Sequence, residues 1–165
     1  LFMIRSVLEN LTLPSLSRRS RIGLLSMRRE RAAAQRMLAE LQIKAGSLSD
    51  PVATLSGGNQ QKVVVGKWLL TEPKILLLDD PTKGVDVQAR NELYRVVENL
   101  RDAGLVVILN SSDDSELLAL CDRILVLYEG RVADELRGDR LTEQGLVAAS
   151  LRLGSSDGKE GTNHA

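Results

Sequence analysis

Leu55-Ser56-Gly57-Gly58-Asn59-Gln60-Gln61-Lys62, followed by Ile75-Leu76-Leu77-Leu78-Asp79-Asp80-Pro81, is the stretch that decides the fold. The paired glycines break regular structure. After them Val64, Val65, Trp68 and Leu69 recur with helical spacing, so a helix is expected from near Gly58 until Pro73 stops it. Ile75 to Leu78 is short and wholly apolar, which predicts a strand buried on both faces. A serine and two glycines at a helix N-terminus make an anion site: free N–H groups point outward, glycine admits a phosphate closely, and Ser56 adds a hydroxyl. The plainer alternative is a glycine turn before a helix. A carboxylate ending a buried strand stands where α/β folds bind ligands. In nucleotide hydrolases such an Asp holds Mg²⁺, usually through water, and an acidic neighbour polarises the attacking water. The plainer alternative is a solvated acidic pair before a proline turn.

Outward from this stretch, Ala89, Leu93, Val96, Val97 and Leu100 mark an amphipathic helix closed by Gly104. Leu105 to Leu109 reads as a second buried strand, Ser115 to Leu120 as a short helix and Ile124 to Tyr128 as a third strand. Glu129-Gly130 is then a turn into Arg131 to Leu136. On the N-terminal side, Leu1 to Leu16 is mixed and apolar, and Arg18, Arg19, Arg21, Arg28, Arg29 and Arg31 form a basic cluster, expected as a solvated helix face. Arg28 to Leu41 predicts a helix with Met37, Leu38 and Leu41 as its apolar stripe. Gly46 to Pro51 reads as a loop. Strands alternating with helices give an α/β class with a mostly parallel sheet.

The 165 residues are 43 % apolar but only 2 % aromatic, so aliphatic side chains must fill the core. Twenty-two basic and 22 acidic residues cancel, which argues against nucleic-acid binding by charge. One cysteine, Cys121, excludes a disulfide within the chain, and a buried, inert thiol is expected. No apolar run approaches the ~20 residues of a membrane span, and no signal peptide is visible. Trp68 is expected in the core rather than stacked on a ligand.

In their order and spacing these motifs resemble the nucleotide-binding subunits of ABC transporters, from about Ser6 to Ala149. Leu55 to Lys62 is similar to the signature motif and Ile75 to Asp79 to the Walker B strand. Val85-Asp86 falls at the D-loop and Asn110-Ser111-Ser112 at the switch region. Asn59 to Val63, Asp79 to Val87 and Asp122 to Arg131 resemble the second half of tandem ATPases serving ribose-type importers. Ser6 to Leu11 resembles the stretch after the Q-loop, and Thr142 to Ala149 the C-terminus. The resemblance implies an incomplete P-loop NTPase core with part of a helical subdomain. Its expected divisions are 1–54, partial helical subdomain; 55–137, ATPase core; 138–153, C-terminal helical segment; and 154–165, disordered tail.

By the same resemblance the cofactors are ATP and Mg²⁺. Ser56, Gly57, Gly58 and Gln60 would contact ATP phosphates held by the Walker A loop of an opposing ATPase half, and Asp86 would serve as the D-loop residue. Asp79 would hold Mg²⁺, Asp80 would occupy the general-base position and Ser112 the switch position. Implied partners are membrane permease subunits, the opposing half and, indirectly, a periplasmic solute-binding protein, at the cytoplasmic face of the membrane, without nucleic acid. Three departures stand out. No G-x-x-x-x-G-K-[ST] loop is present, and since the chain begins at Leu1, truncation is expected, with that loop and the Q-loop glutamine upstream. Asp80 replaces the usual Glu, and Ser112 the usual His; the one histidine, His164, lies in the tail. A soluble ABC-type ATPase of translation or DNA repair, or a non-hydrolysing regulatory half, are the rival readings.

Overall fold

The computed structural model describes residues 1–19 and 25–156. Arg21 of the basic cluster, His164 and the expected tail from 157 onward lie outside them. Two units are present, Leu1–Ile108 and Leu109–Ala165.

The first unit is mainly helical. α1 (Val7–Thr12) starts in a capping box: Glu9 N–H donates to Ser6 Oγ at 3.2 Å, and Ser6 N–H to Glu9 Oε2 at 2.9 Å. α2 (Leu16–Arg19) follows, then α3 (Met27–Glu40), which buries Glu30, Ala33, Ala34 and Met37 and leaves Arg28, Arg29 and Arg31 exposed. α4 (Gly57–Leu69) packs on α1 and α3 through Gly66. A Cβ there would lie 2.8 Å from Met37 Cγ and 3.1 Å from Leu11 Cδ2, so the hydrogen of glycine lets three helices meet. α5 (Val87–Asp102) buries Leu93, Val96 and Val97. Gly104, at φ +89°, ends it: Gly104 N–H reaches Arg101 O and Leu105 N–H reaches Leu100 O, a Schellman pair.

β1 (Ile75–Asp79) and β2 (Val106–Asn110) pair across the α5 crossover. Val106 N–H donates to Lys74 O, so both strands start at the same end and run parallel. Three expectations are corrected here. β1 is covered on one face only: Leu76 and Leu78 are buried, whereas Ile75 and Leu77 are 55 % and 71 % exposed. Val106 and Ile108 of β2 are exposed likewise. Trp68 is 49 % exposed beside Lys67, not in the core. The buried positions of α4 are instead Gly58, Lys62, Val63, Val65 and Gly66, and hydropathy marks them poorly because two of them are glycine and one is charged.

In the second unit α6 (Asp114–Leu120) precedes a hairpin of β3 (Arg123–Tyr128) and β4 (Arg131–Arg137), and α7 (Glu143–Ser156) follows. The hairpin is antiparallel, turns on Glu129 and Gly130 at positive φ, and skips Ala133 in a bulge. β3 is likewise not buried throughout: Ile124 packs with Leu136, Leu146 and Ala149, whereas Leu125 and Leu127 face outward. α7 includes residues 154–156, three of those expected in the tail. Cys121 is half-buried; burial, then the charges of Asp122 and Glu116, push its thiol pKa up, which keeps it a poor nucleophile.

Candidate functional site

Four of the sequence-derived site residues lie at the N-terminus of α4. Ser56 caps the helix, accepting from Asn59 N–H at 3.4 Å and from Asn59 Nδ2 at 2.9 Å. Both contacts use its lone pairs, so the hydroxyl hydrogen stays available to an anion. Gly57 is exposed, and a Cβ built on it meets nothing within 4 Å. Gly58 is different: it is buried, and a Cβ there would overlap the Ala89 Cβ of α5. Gln60 donates through Nε2 to Leu55 O at 2.9 Å, which fixes the entry to the helix.

Asp86 caps α5, its Oδ1 accepting from Ala89 N–H at 2.9 Å, so the residue that seats Gly58 also anchors Asp86. Asp79 is exposed at the end of β1. Asp80 follows at φ +42°, a left-handed conformation that Asp tolerates better than most side chains. Its Oδ2 lies 3.5 Å from Lys83 Nζ, and its carbonyl accepts from Lys83 N–H at 3.2 Å. Ser112 belongs to the second unit, exposed ahead of α6; beside it Ser111 Oγ accepts from Asp113 N–H at 3.0 Å.

Reading residue types alone misses Lys62 and Glu92. Lys62 is 2 % exposed inside the unit. Its ammonium donates to Glu92 Oε2 at 2.7 Å and to Gln42 O at 3.3 Å. The Lys62 hydrogen bond, then its charge, holds the Glu92 carboxyl below the ordinary value of 4.5. A lysine four residues from Gly58 was the available signal, but hydropathy assigns it to solvent. Among the described residues no three metal-ligating side chains gather. Mg²⁺ needs no such cage, since one or two carboxylates with nucleotide phosphates and water suffice. Asp79, exposed at the end of β1, fits that donor set.

Residues 1–83 match the family model described as ABC transporter. A "Ribose import ATP-binding protein RbsA 1" of Mesorhizobium japonicum is 44 % identical over 93 % of this chain and 30 % of its own length. A second, "RbsA 2" of Streptomyces coelicolor, is 43 % identical over 96 % of this chain and 31 % of its own. The chain thus spans about a third of these relatives. Among solved structures, the dimeric ATP-binding cassette MJ0796 bound to ADP and Pi superposes with a TM-score of 0.69 at 28 % identity, covering 83 % of this chain and 58 % of that one. A nucleotide-free ATP-binding cassette from an ABC transporter reaches 0.74 at 21 % identity, over 88 % and 60 %, a likeness of fold. With more than half its length matched by the family model, this chain belongs to the ABC transporter family.

Proposed function

We propose that this chain is the signature-bearing part of an import ATPase, coupling ATP binding and hydrolysis to uptake of a sugar or related small solute. The observation that carries the reading is the capped, open N-terminus of α4, where Ser56 and Gly57 face solvent and the helix dipole favours an anion. The names of the relatives, ribose import ATP-binding proteins, favour transport over translation or DNA repair.

In this reading Ser56 donates its hydroxyl, and Gly57 its backbone N–H, to phosphates of ATP held by the Walker A loop of an opposing half. Gly58 and Gln60 shape that end of the helix. Asp86 serves the same interface from α5. Asp79 would hold Mg²⁺, which supplies charge neutralisation at the phosphates when bound. Asp80 accepts a proton from the attacking water, and Ser112 occupies the switch position of the second unit. Partners are membrane permease subunits, the opposing half and, through the permease, a periplasmic solute-binding protein, with the assembly peripheral to the cytoplasmic face of the membrane.

The chain by itself has no glycine-lysine phosphate loop, and that loop supplies most phosphate contacts. The isolated chain is therefore expected not to bind Mg²⁺–ATP in the micromolar range, as measured by titration with labelled nucleotide. In the assembled importer, Gly57→Asp places a negative side chain against phosphate oxygens and abolishes transport. Normal uptake by a normally expressed variant refutes the role of this motif.

A further inference from the structure

The N-termini of α4 and α5 are joined at two points. Gly58 lies against Ala89, and one turn further along each helix Lys62 meets Glu92 at 2.7 Å. The spacings, four residues on α4 and three on α5, keep both contacts on one face of each helix. Two contact points fix sliding and tilt together, where one leaves a pivot. The second point is chemically unusual. An ammonium 2 % exposed pays a desolvation cost that an apolar side chain of similar volume avoids, so such a pair is a poor device for stability. Its advantage over an apolar contact is direction: the ammonium is set by Glu92 Oε2 and by the carbonyl of Gln42, whose φ of +51° places it in the turn after α3.

We propose that Lys62 and Glu92 are positioning residues that, with the Gly58–Ala89 contact, lock the Ser56 cap of α4 and the Asp86 cap of α5 into one rigid nucleotide-facing piece. The inference rests on the reading of Ser56 and Gly57 as an ATP-contacting end. Loss of the lock leaves both helices folded but lets their caps drift, and misplacement on the ångström scale costs up to ~10²-fold in rate.

The test is steady-state ATP hydrolysis by the assembled importer, with kcat and KM measured separately. Lys62→Met/Glu92→Met replaces the pair by apolar side chains of similar length. The melting temperature is expected at or above the parent's, kcat lower by roughly tenfold, and KM for ATP nearly unchanged. Combining it with Ser56→Ala is expected to give less than the product of the separate losses, because both act on one cap. A stable double variant with parental kcat, or strictly multiplicative losses, overturns the proposal. Should the double variant not fold, Glu92→Gln is read by the same kcat ratio, and Lys62→Arg, which keeps a donor to both acceptors, must restore most of the rate. Ser56→Ala alone separates the two levels. If it leaves hydrolysis unaltered, the reading of the motif fails; if it abolishes hydrolysis while the lock variants do not, only the lock fails.

Discussion

The two glycines of Leu55 to Lys62 carry different burdens. Gly57 has open space at its Cβ, so nothing within the chain demands glycine there; Gly58 has Ala89 against it, so its demand comes from inside. Gly57→Ala is accordingly expected to leave the chain's urea midpoint unchanged or slightly raised, because alanine lowers the entropy of the unfolded chain. Gly58→Ala is expected to destabilise by about 1–3 kcal/mol through overpacking on a backbone-anchored methyl. Equal midpoints for the two variants would remove the distinction. Asp80 is the second residue whose conformation matters. Asparagine also tolerates a left-handed φ but cannot accept a proton at neutral pH. Asp80→Asn should keep parental thermal stability while abolishing hydrolysis at this site, read in an importer whose other site is disabled. Unchanged turnover would instead make this a regulatory half.

At the level of elements, the helices are set by their ends as much as by their apolar faces. Ser6, Ser56, Asp86 and Asp113 each cap a helix through a side-chain oxygen. Between elements, the Lys62–Glu92 pair gives stability a pH dependence. The lowered pKa of Glu92 means that its ionised form favours the folded state, so the contribution is complete above the ordinary carboxylate range and is lost as pH falls through the folded value. Lys44 adds a weaker attraction in the same direction. Glu92→Gln should cost roughly 1–2 kcal/mol at pH 7, less than a fully buried pair because Glu92 keeps solvent contact. The difference from the parent should shrink as urea titrations are repeated toward pH 3. A gap independent of pH would assign the loss to packing instead.

Over the whole molecule, each unit leaves one face of its sheet uncovered. Ile75, Leu77, Val106 and Ile108 are exposed in the first, and Leu125, Leu127 and Val132 in the second. Contiguous apolar surface of this kind favours association. The isolated chain is expected to bind a hydrophobic dye and to sediment as more than a monomer at high concentration. Leu77→Thr should reduce both without lowering stability, since Leu77 is 71 % exposed and threonine suits a strand. A strictly monomeric parent that binds no dye would contradict the exposure of these faces.

Much of the fold was legible in the sequence because it rests on local physics. Helical spacing placed α4 and α5, Gly104 stopped α5, and a glycine-containing turn separated β3 from β4. The apolar run of β1 was visible too, and with the motif order it sufficed to indicate the family. What the sequence could not decide was which faces meet. Apolar character says that a strand prefers burial, but whether its second face is buried depends on what lies against it, and Leu77 has no cover. Trp68, expected in the core, is exposed for the same reason, and Lys62 is buried against its hydropathy. Hydropathy ranks transfer from water for single side chains, whereas the buried stripe of α4 was chosen by close approach at Gly58 and Gly66 and by a carboxylate supplied thirty residues away on α5. Only the packed structure brings that partner within hydrogen-bonding distance.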